Sequence, residues 1–318
     1  MKAVVIEKAG GPDQLIYRDV PRPVVKPGWS LVKVMGFGIN HSEIFTRKGL
    51  SPSVKFPRIL GIECVGIIED TTDPKRLPHG QKVVSIMGEM GRAFDGSYAE
   101  YVLLPNEQIY PVRTSLSWEK LAAVPETYYT AYGSLLNLQL NEKDTVLVRG
   151  ASSGVGIAFL KLVNALYPNI PVAGSSRHEE KKQQLMDAGY DQIVIEKNGK
   201  LATNRVFSKI FELVGPATIK DSFNHLQERG IICSSGQLGN QWYLENFDPI
   251  IDLAPNSYLT SFYSDNVDEE KLNQLLALIT DKKIDVTPNK VFHLDQLPQA
   301  HKYLESTDSL GKVVVLNS

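Results

Sequence analysis

Residues 144 to 163 read Asp144-Thr145-Val146-Leu147-Val148-Arg149-Gly150-Ala151-Ser152-Ser153-Gly154-Val155-Gly156-Ile157-Ala158-Phe159-Leu160-Lys161-Leu162-Val163. A short apolar strand at 145–148 enters a turn of small residues, which opens a helix over 154–166 with apolar positions at helical spacing. Such a turn lets an anion approach bare backbone N–H groups at a helix N-terminus, where the helix dipole favours negative charge. Against the dinucleotide fingerprint G-x-G-x-x-G, the turn reads Ala151-Ser152-Ser153-Gly154-Val155-Gly156 and keeps only the last glycine. The context supports it: strand before, helix after, further strands following. Ser152, Ser153, Gly154, Val155 and Gly156 are therefore the expected phosphate cradle.

Downstream, strand candidates at 171–173, 192–195, 209–214, 231–235 and 259–262 alternate with helical stretches at 179–188 and 217–228. That alternation predicts a parallel sheet covered on both faces. Upstream, the first ~120 residues carry short β-branched runs at 3–6, 30–34, 65–68, 81–86 and 99–104, split by Gly and Pro turns, as in an irregular barrel. The tail returns to mixed character, with a helix at 269–280, a strand at 290–294, a helix at 297–304 and a strand at 312–316. Its isolated strands are expected to rejoin the first domain. The expected fold is thus α/β: a Rossmann-type doubly wound parallel sheet over 121–264, inserted in a β-rich domain of 1–120 plus 265–318.

The strand after the turn helix selects the coenzyme. NAD sites place a carboxylate about 20 positions on, for the ribose 2′-hydroxyl, whereas NADP sites offer a cation to the 2′-phosphate. Here that offset falls in Gly174-Ser175-Ser176-Arg177-His178, which holds no carboxylate. Ser175, Ser176 and Arg177 would meet the 2′-phosphate, and Lys181 would add charge one helical turn on. NADPH is the expected coenzyme. The alternative is a solvated basic helix start, which predicts no preference between coenzymes.

Composition narrows the partners. The 318 residues are 42% hydrophobic and 22% charged, with a net charge of −2. No basic face suits nucleic acid and no polybasic patch suits a membrane surface. No run approaches the ~20 apolar residues of a membrane span, and the N-terminus meets Glu7 too soon for a signal peptide. The two cysteines, Cys64 and Cys233, sit in apolar runs and read as buried free thiols. A cytoplasmic protein acting on a small molecule is expected.

Motifs in order along nearly the whole chain carry a family resemblance. They are Gly38-Ile39-Asn40-His41-Ser42-Glu43 and Gly49, then Pro57-Arg58-Ile59-Leu60-Gly61-Ile62-Glu63-Cys64-Val65-Gly66, then Gly96-Ser97-Tyr98-Ala99-Glu100-Tyr101 and Thr130-Ala131-Tyr132. Gly230, Gly236, Ala300-His301 and Gly311-Lys312-Val313-Val314 follow. The chain resembles the zinc-independent medium-chain dehydrogenase/reductases of the quinone oxidoreductase subgroup. The resemblance implies that the β-rich domain is a GroES-like partial barrel. It implies that Asn40 and Thr130 lie near the nicotinamide, that Gly236, Gln237 and Leu238 line it by backbone, and that Lys312 lies near the cofactor's phosphates. Asn40 also fits plain turn chemistry. Glu63 reads as a structural carboxylate rather than a general acid, and Tyr128, Tyr129 and Tyr132 line the reaction site or fill the core.

Zinc-dependent relatives hold their catalytic metal with a Cys in the first motif and a His before the Glu of the second. This chain has Asn40 and Ile62 there. An amide and an alkyl group do not replace thiolate and imidazole. Two cysteines cannot build a four-cysteine structural zinc lobe, and the six histidines show no paired ligand spacing. No metal is expected.

The expected activity is NADPH-dependent hydride transfer to a quinone or another conjugated carbonyl such as an enone, by a homodimer paired through the last Rossmann strand. An enoyl or enone reductase of the same family and a non-catalytic NADPH-binding redox sensor are the alternatives. A short-chain dehydrogenase is disfavoured, because none of the thirteen tyrosines has Lys four residues on.

Overall fold

Val146–Arg149, four buried residues, is a central strand of a seven-stranded sheet in the computed structural model, which describes residues 1–317. From one edge the strands are Lys200–Leu201, Gln192–Lys197, Val172–Ser176, Val146–Arg149, Phe207–Glu212, Leu226–Ser234 and Tyr258–Ser261. All pairings are parallel except that of the short Lys200–Leu201 strand. Numbered from Val146–Arg149, the six parallel strands run 3-2-1-4-5-6, the dinucleotide-fold order whose reversal lies beside the first strand. Near-continuous apolar runs such as Val146-Leu147-Val148 suit strands covered on both faces.

By packing, the chain forms two units: Met1–Tyr129 with the residues from Ser264 onward, and Thr130–Tyr263. Residues 121–129, which the strand–helix pattern groups with the inserted segment, pack with the first unit. There the helix Trp118–Ala122 contacts Trp29–Gly38, Glu63–Thr71 and Val313–Leu316.

The first unit is β-rich. Trp29–Gly38 is its backbone, pairing with Glu63–Thr71, Tyr101–Pro105 and the tail strand Val313–Leu316. Lys290–His293 lies parallel to Val313–Leu316, so both tail strands join this sheet. A three-stranded sheet of Leu15–Asp19, Lys2–Ile6 and Arg58–Ile59 packs nearby, and a shared core holds Val4, Ile6, Val34, Phe37, Cys64 and Val315. This is the mixed α/β, GroES-like architecture that the sequence implies.

Local differences have local causes. The helix expected at 217–228 is confined to Ile219–Asn224, because Leu226–Ser234 is extended and its first residue pairs with Phe207. The helix expected at 179–188 begins as a 3₁₀ turn, Glu179–Lys181, before Lys182–Asp187.

Candidate functional site

In the second unit, the turn after Val146–Arg149 is shaped by two glycines. Gly150 has φ +83°, a conformation that side chains rarely adopt. At Gly156 a Cβ would press to 2.7 Å from the Gly150 carbonyl oxygen and 2.9 Å from that of Ala151. Ser153 caps the helix Gly154–Leu166: its Oγ accepts from Gly156 N–H at 3.0 Å and donates to the Gly150 carbonyl at 2.7 Å. First-turn N–H groups have no intrahelical partner, so those of Gly154 and Val155 remain for an anion. This bare-backbone cradle fits a pyrophosphate. The buried Tyr190 braces it from behind, reaching the carbonyls of Ala151 and Gly156.

The strand-end residues divide their work. Ser175 is 3% exposed and its Oγ lies 3.4 Å from both Gly150 N and Glu196 Oε2, turned into the unit. Ser176 Oγ closes the following loop by accepting from His178 N–H and donating to the His178 carbonyl. Arg177 is thus open to solvent at the strand end, whereas Lys181, expected to add charge one turn on, is 7% exposed in the 3₁₀ turn. Gly236, Gln237 and Leu238 run beside the turn: Leu238 N–H donates to the Leu213 carbonyl, and Leu238 Cδ1 lies 3.2 Å from where a Gly150 Cβ would stand.

One charged residue here was hidden from sequence reading. Arg149, fully buried at the end of its strand, donates to Glu196 Oε2 at 2.8 Å, to Asp221 Oδ2 at 2.9 Å and to Ser222 Oγ at 3.0 Å. Glu212 lies 3.9 Å away. Burial raises the Glu212 carboxyl above its ordinary range, against the pull of Arg149, while Val214 N–H, Gly215 N–H and Thr218 Oγ1 hydrogen-bond one of its oxygens. The only sequence signal was a guanidinium in an otherwise apolar strand.

In the first unit, Asn40 caps the helix His41–Arg47 in a capping box with Glu43: Glu43 Oε2 accepts from the Asn40 backbone N–H at 3.0 Å. The Asn40 side chain is also committed. Its Nδ2 donates to Glu63 Oε1 at 2.9 Å and, more weakly, to Glu43 Oε1 at 3.5 Å, while its Oδ1 accepts from Lys312 Nζ at 2.7 Å. Lys312 Nζ also donates to Glu63 Oε1 at 2.7 Å, and Glu63 Oε2 accepts from Glu126 N–H. Glu63 is thus a satisfied buried carboxylate. Lys312 does not present an open cation for phosphate, because Val313–Leu316 pairs with Trp29–Gly38 and delivers it beside Gly38. A Cβ at Gly38 would overlap both Lys312 and Glu63.

Burial, reinforced by the Glu63 charge and opposed by Lys312, raises the Glu43 carboxyl to about 7. Ile62 is buried, and its N–H donates to Glu43 Oε1. Thr130 is buried within the helix Pro125–Leu138. Tyr128 and Tyr129 are core residues whose hydroxyls reach the backbone of Asp285 and Asp268. Among the described residues no three His, Cys, Asp or Glu side chains are grouped to hold a metal ion. Cys64 and Cys233 are buried free thiols, and burial pushes the Cys64 thiol up to about 12. Among the described residues no helix is long and apolar enough to cross a membrane.

Comparison with known proteins agrees with this geometry. Residues 26–114 match the alcohol dehydrogenase GroES-like domain family, and residues 188–315 match the zinc-binding dehydrogenase family. A quinone oxidoreductase from Lama guanicoe is 26% identical, over 99% of this chain and 97% of its own. The solved quinone oxidoreductase from Coxiella burnetii superposes with a TM-score of 0.84 at 24% identity, covering 99% of both chains. A mycobacterial protein solved in complex with NADPH superposes with a TM-score of 0.83 at 24% identity, covering 99% of this chain and 100% of its own.

Proposed function

Because the chain belongs to the medium-chain dehydrogenase/reductases, of the quinone oxidoreductase-like kind, we propose that it transfers hydride from NADPH, without a metal, to a quinone or another conjugated carbonyl compound. The metal-free chemistry is supported by the side chains at the family's ligand positions. Ile62 offers no donor atom, and the Asn40 amide is consumed by Glu63, Glu43 and Lys312. The choice of NADPH is supported by the exposed Arg177 at a strand end without a carboxylate.

When bound, the nicotinamide supplies the hydride. The turn N–H groups of Gly154 and Val155 would hold its pyrophosphate, and Arg177 would neutralise a 2′-phosphate. By family resemblance, Gly236, Gln237 and Leu238 would line the nicotinamide by backbone. Asn40, with its amide held by Glu63, Glu43 and Lys312, is a fixed neutral group rather than a proton donor. A conjugated acceptor suits such a site, since the incoming charge spreads onto its own oxygen and less electrostatic help is required.

Association as a homodimer fits the sheet edge. Tyr258–Ser261 is an outer strand with Tyr258 and Leu259 exposed, able to pair with a twofold mate. The two buried free thiols suit a reducing, cytoplasmic setting.

The test is NADPH oxidation by protein shown spectroscopically to be metal-free, against a panel of quinones and enones. Turnover that survives a chelator is expected. Failure with every acceptor, or activity only after zinc is added, overturns the proposal.

A further inference from the structure

The first unit carries a half-open pocket of about 370 Å³ that none of Asn40, Glu43, Glu63 or Lys312 lines. That volume falls in the range of roughly 300–1,000 Å³ typical of small-molecule sites. The rings of Trp29, Phe94 and Tyr101 form its apolar wall, with Trp29 and Phe94 edge-to-face at 5.1 Å between centroids. An aromatic ligand packs well against such rings, gaining contact area and quadrupole complementarity.

The charged residues of the lining are unevenly matched. Arg18, Lys26 and Arg58 face one carboxylate, Asp95. Asp95 is already used, since its Oδ1 accepts from Arg58 Nη1 at 3.0 Å and from Ile59 N–H at 3.1 Å. Arg18 pairs with Glu7. Lys26 stands 3.9 Å over the Trp29 ring, and no carboxylate of the described residues pairs with it. An aromatic wall thus carries one cation lacking a counterion, Lys26, and a second, Arg58, which shares Asp95 with the Ile59 N–H. A neutral ligand would leave both as they are.

We propose that this pocket is a second binding site, for a small aromatic monoanion whose ring packs on Trp29 and Phe94 and whose anionic group is drawn by Lys26 and Arg58. An aromatic carboxylate is the simplest member of that class. The site is built wholly from the first unit, so it does not require NADPH or turnover.

The experiment is calorimetric titration of the full chain with sodium 2-naphthoate, with and without saturating NADPH, beside the neutral analogue 2-naphthalenemethanol. We expect one naphthoate site, unaffected by NADPH and at least tenfold weaker for the neutral analogue. Lys26→Glu, at an exposed position, and Phe94→Ala are each expected to weaken naphthoate at least tenfold while leaving NADPH affinity unchanged. No naphthoate binding, equal binding of the neutral analogue, or wild-type affinity in Lys26→Glu overturns the proposal. Because naphthoate is titrated without NADPH as well, failure of the coenzyme assignment would leave this result standing.

Discussion

Lys312 Nζ donates to Glu63 Oε1 at 2.7 Å, although the two residues lie 249 positions apart in the chain. Their side chains are only 6% and 0% exposed. The contact exists because Val314 pairs with Gly38 across antiparallel strands, setting Lys312 against a glycine with no Cβ to obstruct it. Both Asn40 polar groups then close on the pair, so one buried cluster fixes a residue that family resemblance places beside the nicotinamide.

Removing the cation should therefore be costly. Lys312→Met leaves Glu63 buried and uncompensated, and a loss of about 3–5 kcal/mol is expected from urea unfolding. The double variant with Glu63→Gln should lose less than the single one, since no buried charge is then stranded. A single-variant loss below about 1 kcal/mol would contradict the cluster's role.

Glu43 predicts a pH dependence of defined sign. Burial and then the Glu63 charge raise its folded carboxyl to about 7 from 4.5. Between those values the folded chain keeps a proton that the unfolded chain has lost, so this group's contribution to stability falls as pH rises from about 4.5 to about 7. Urea midpoints measured at about pH 5 and about pH 8 should show wild type losing ground to Glu43→Gln at the higher pH. Parallel behaviour of the two proteins would refute the assignment.

Arg149 anchors Glu196 and Asp221 at the end of the strand that enters the Gly150–Gly156 turn, with Glu212 close by. Arg149→Met strands buried carboxylates, and a loss of about 3–5 kcal/mol in stability is expected. Arg149→Lys should recover only part of it, since a single ammonium cannot reproduce the guanidinium's fan of donors. Thermal melts of the two variants beside wild type provide the check.

Coenzyme choice is tested at Arg177. Its replacement by Ala should weaken NADPH about tenfold in fluorescence titration while leaving NADH unchanged, the difference being one charge-assisted contact to the 2′-phosphate. Equal loss for both coenzymes would assign Arg177 to general electrostatics instead.

The sheet edge is tested at Leu259, which is exposed on the outer strand. Leu259→Lys should shift the light-scattering mass from dimer to monomer, because an edge charge opposes strand pairing. A monomeric wild type would refute the dimer.

How far the sequence reached follows from the range of the interactions involved. The helix expected at 154–166 is found as Gly154–Leu166, since a serine cap, small turn residues and helical spacing all act within a few positions. The helix expected at 217–228 is shorter, because partners distant in the chain claim Leu226 onward for the sheet. Asn40 was readable as turn chemistry from its residue type, but its capping box with Glu43 and the ties of its amide to Glu63 and Lys312 were not.

By itself the sequence determined a strand, a small-residue turn and a helix in that order, the alternating pattern of a parallel sheet, and an amide and an alkyl side chain at positions 40 and 62. Each depends on residue type and short spacing. Only the tertiary structure decided where the buried charges go: Lys312 to Glu63, and Arg149 to Glu196 and Asp221. A buried ion finds its counterion through strand register, and register is set by whole sheets closing on one another rather than by any neighbour in the chain.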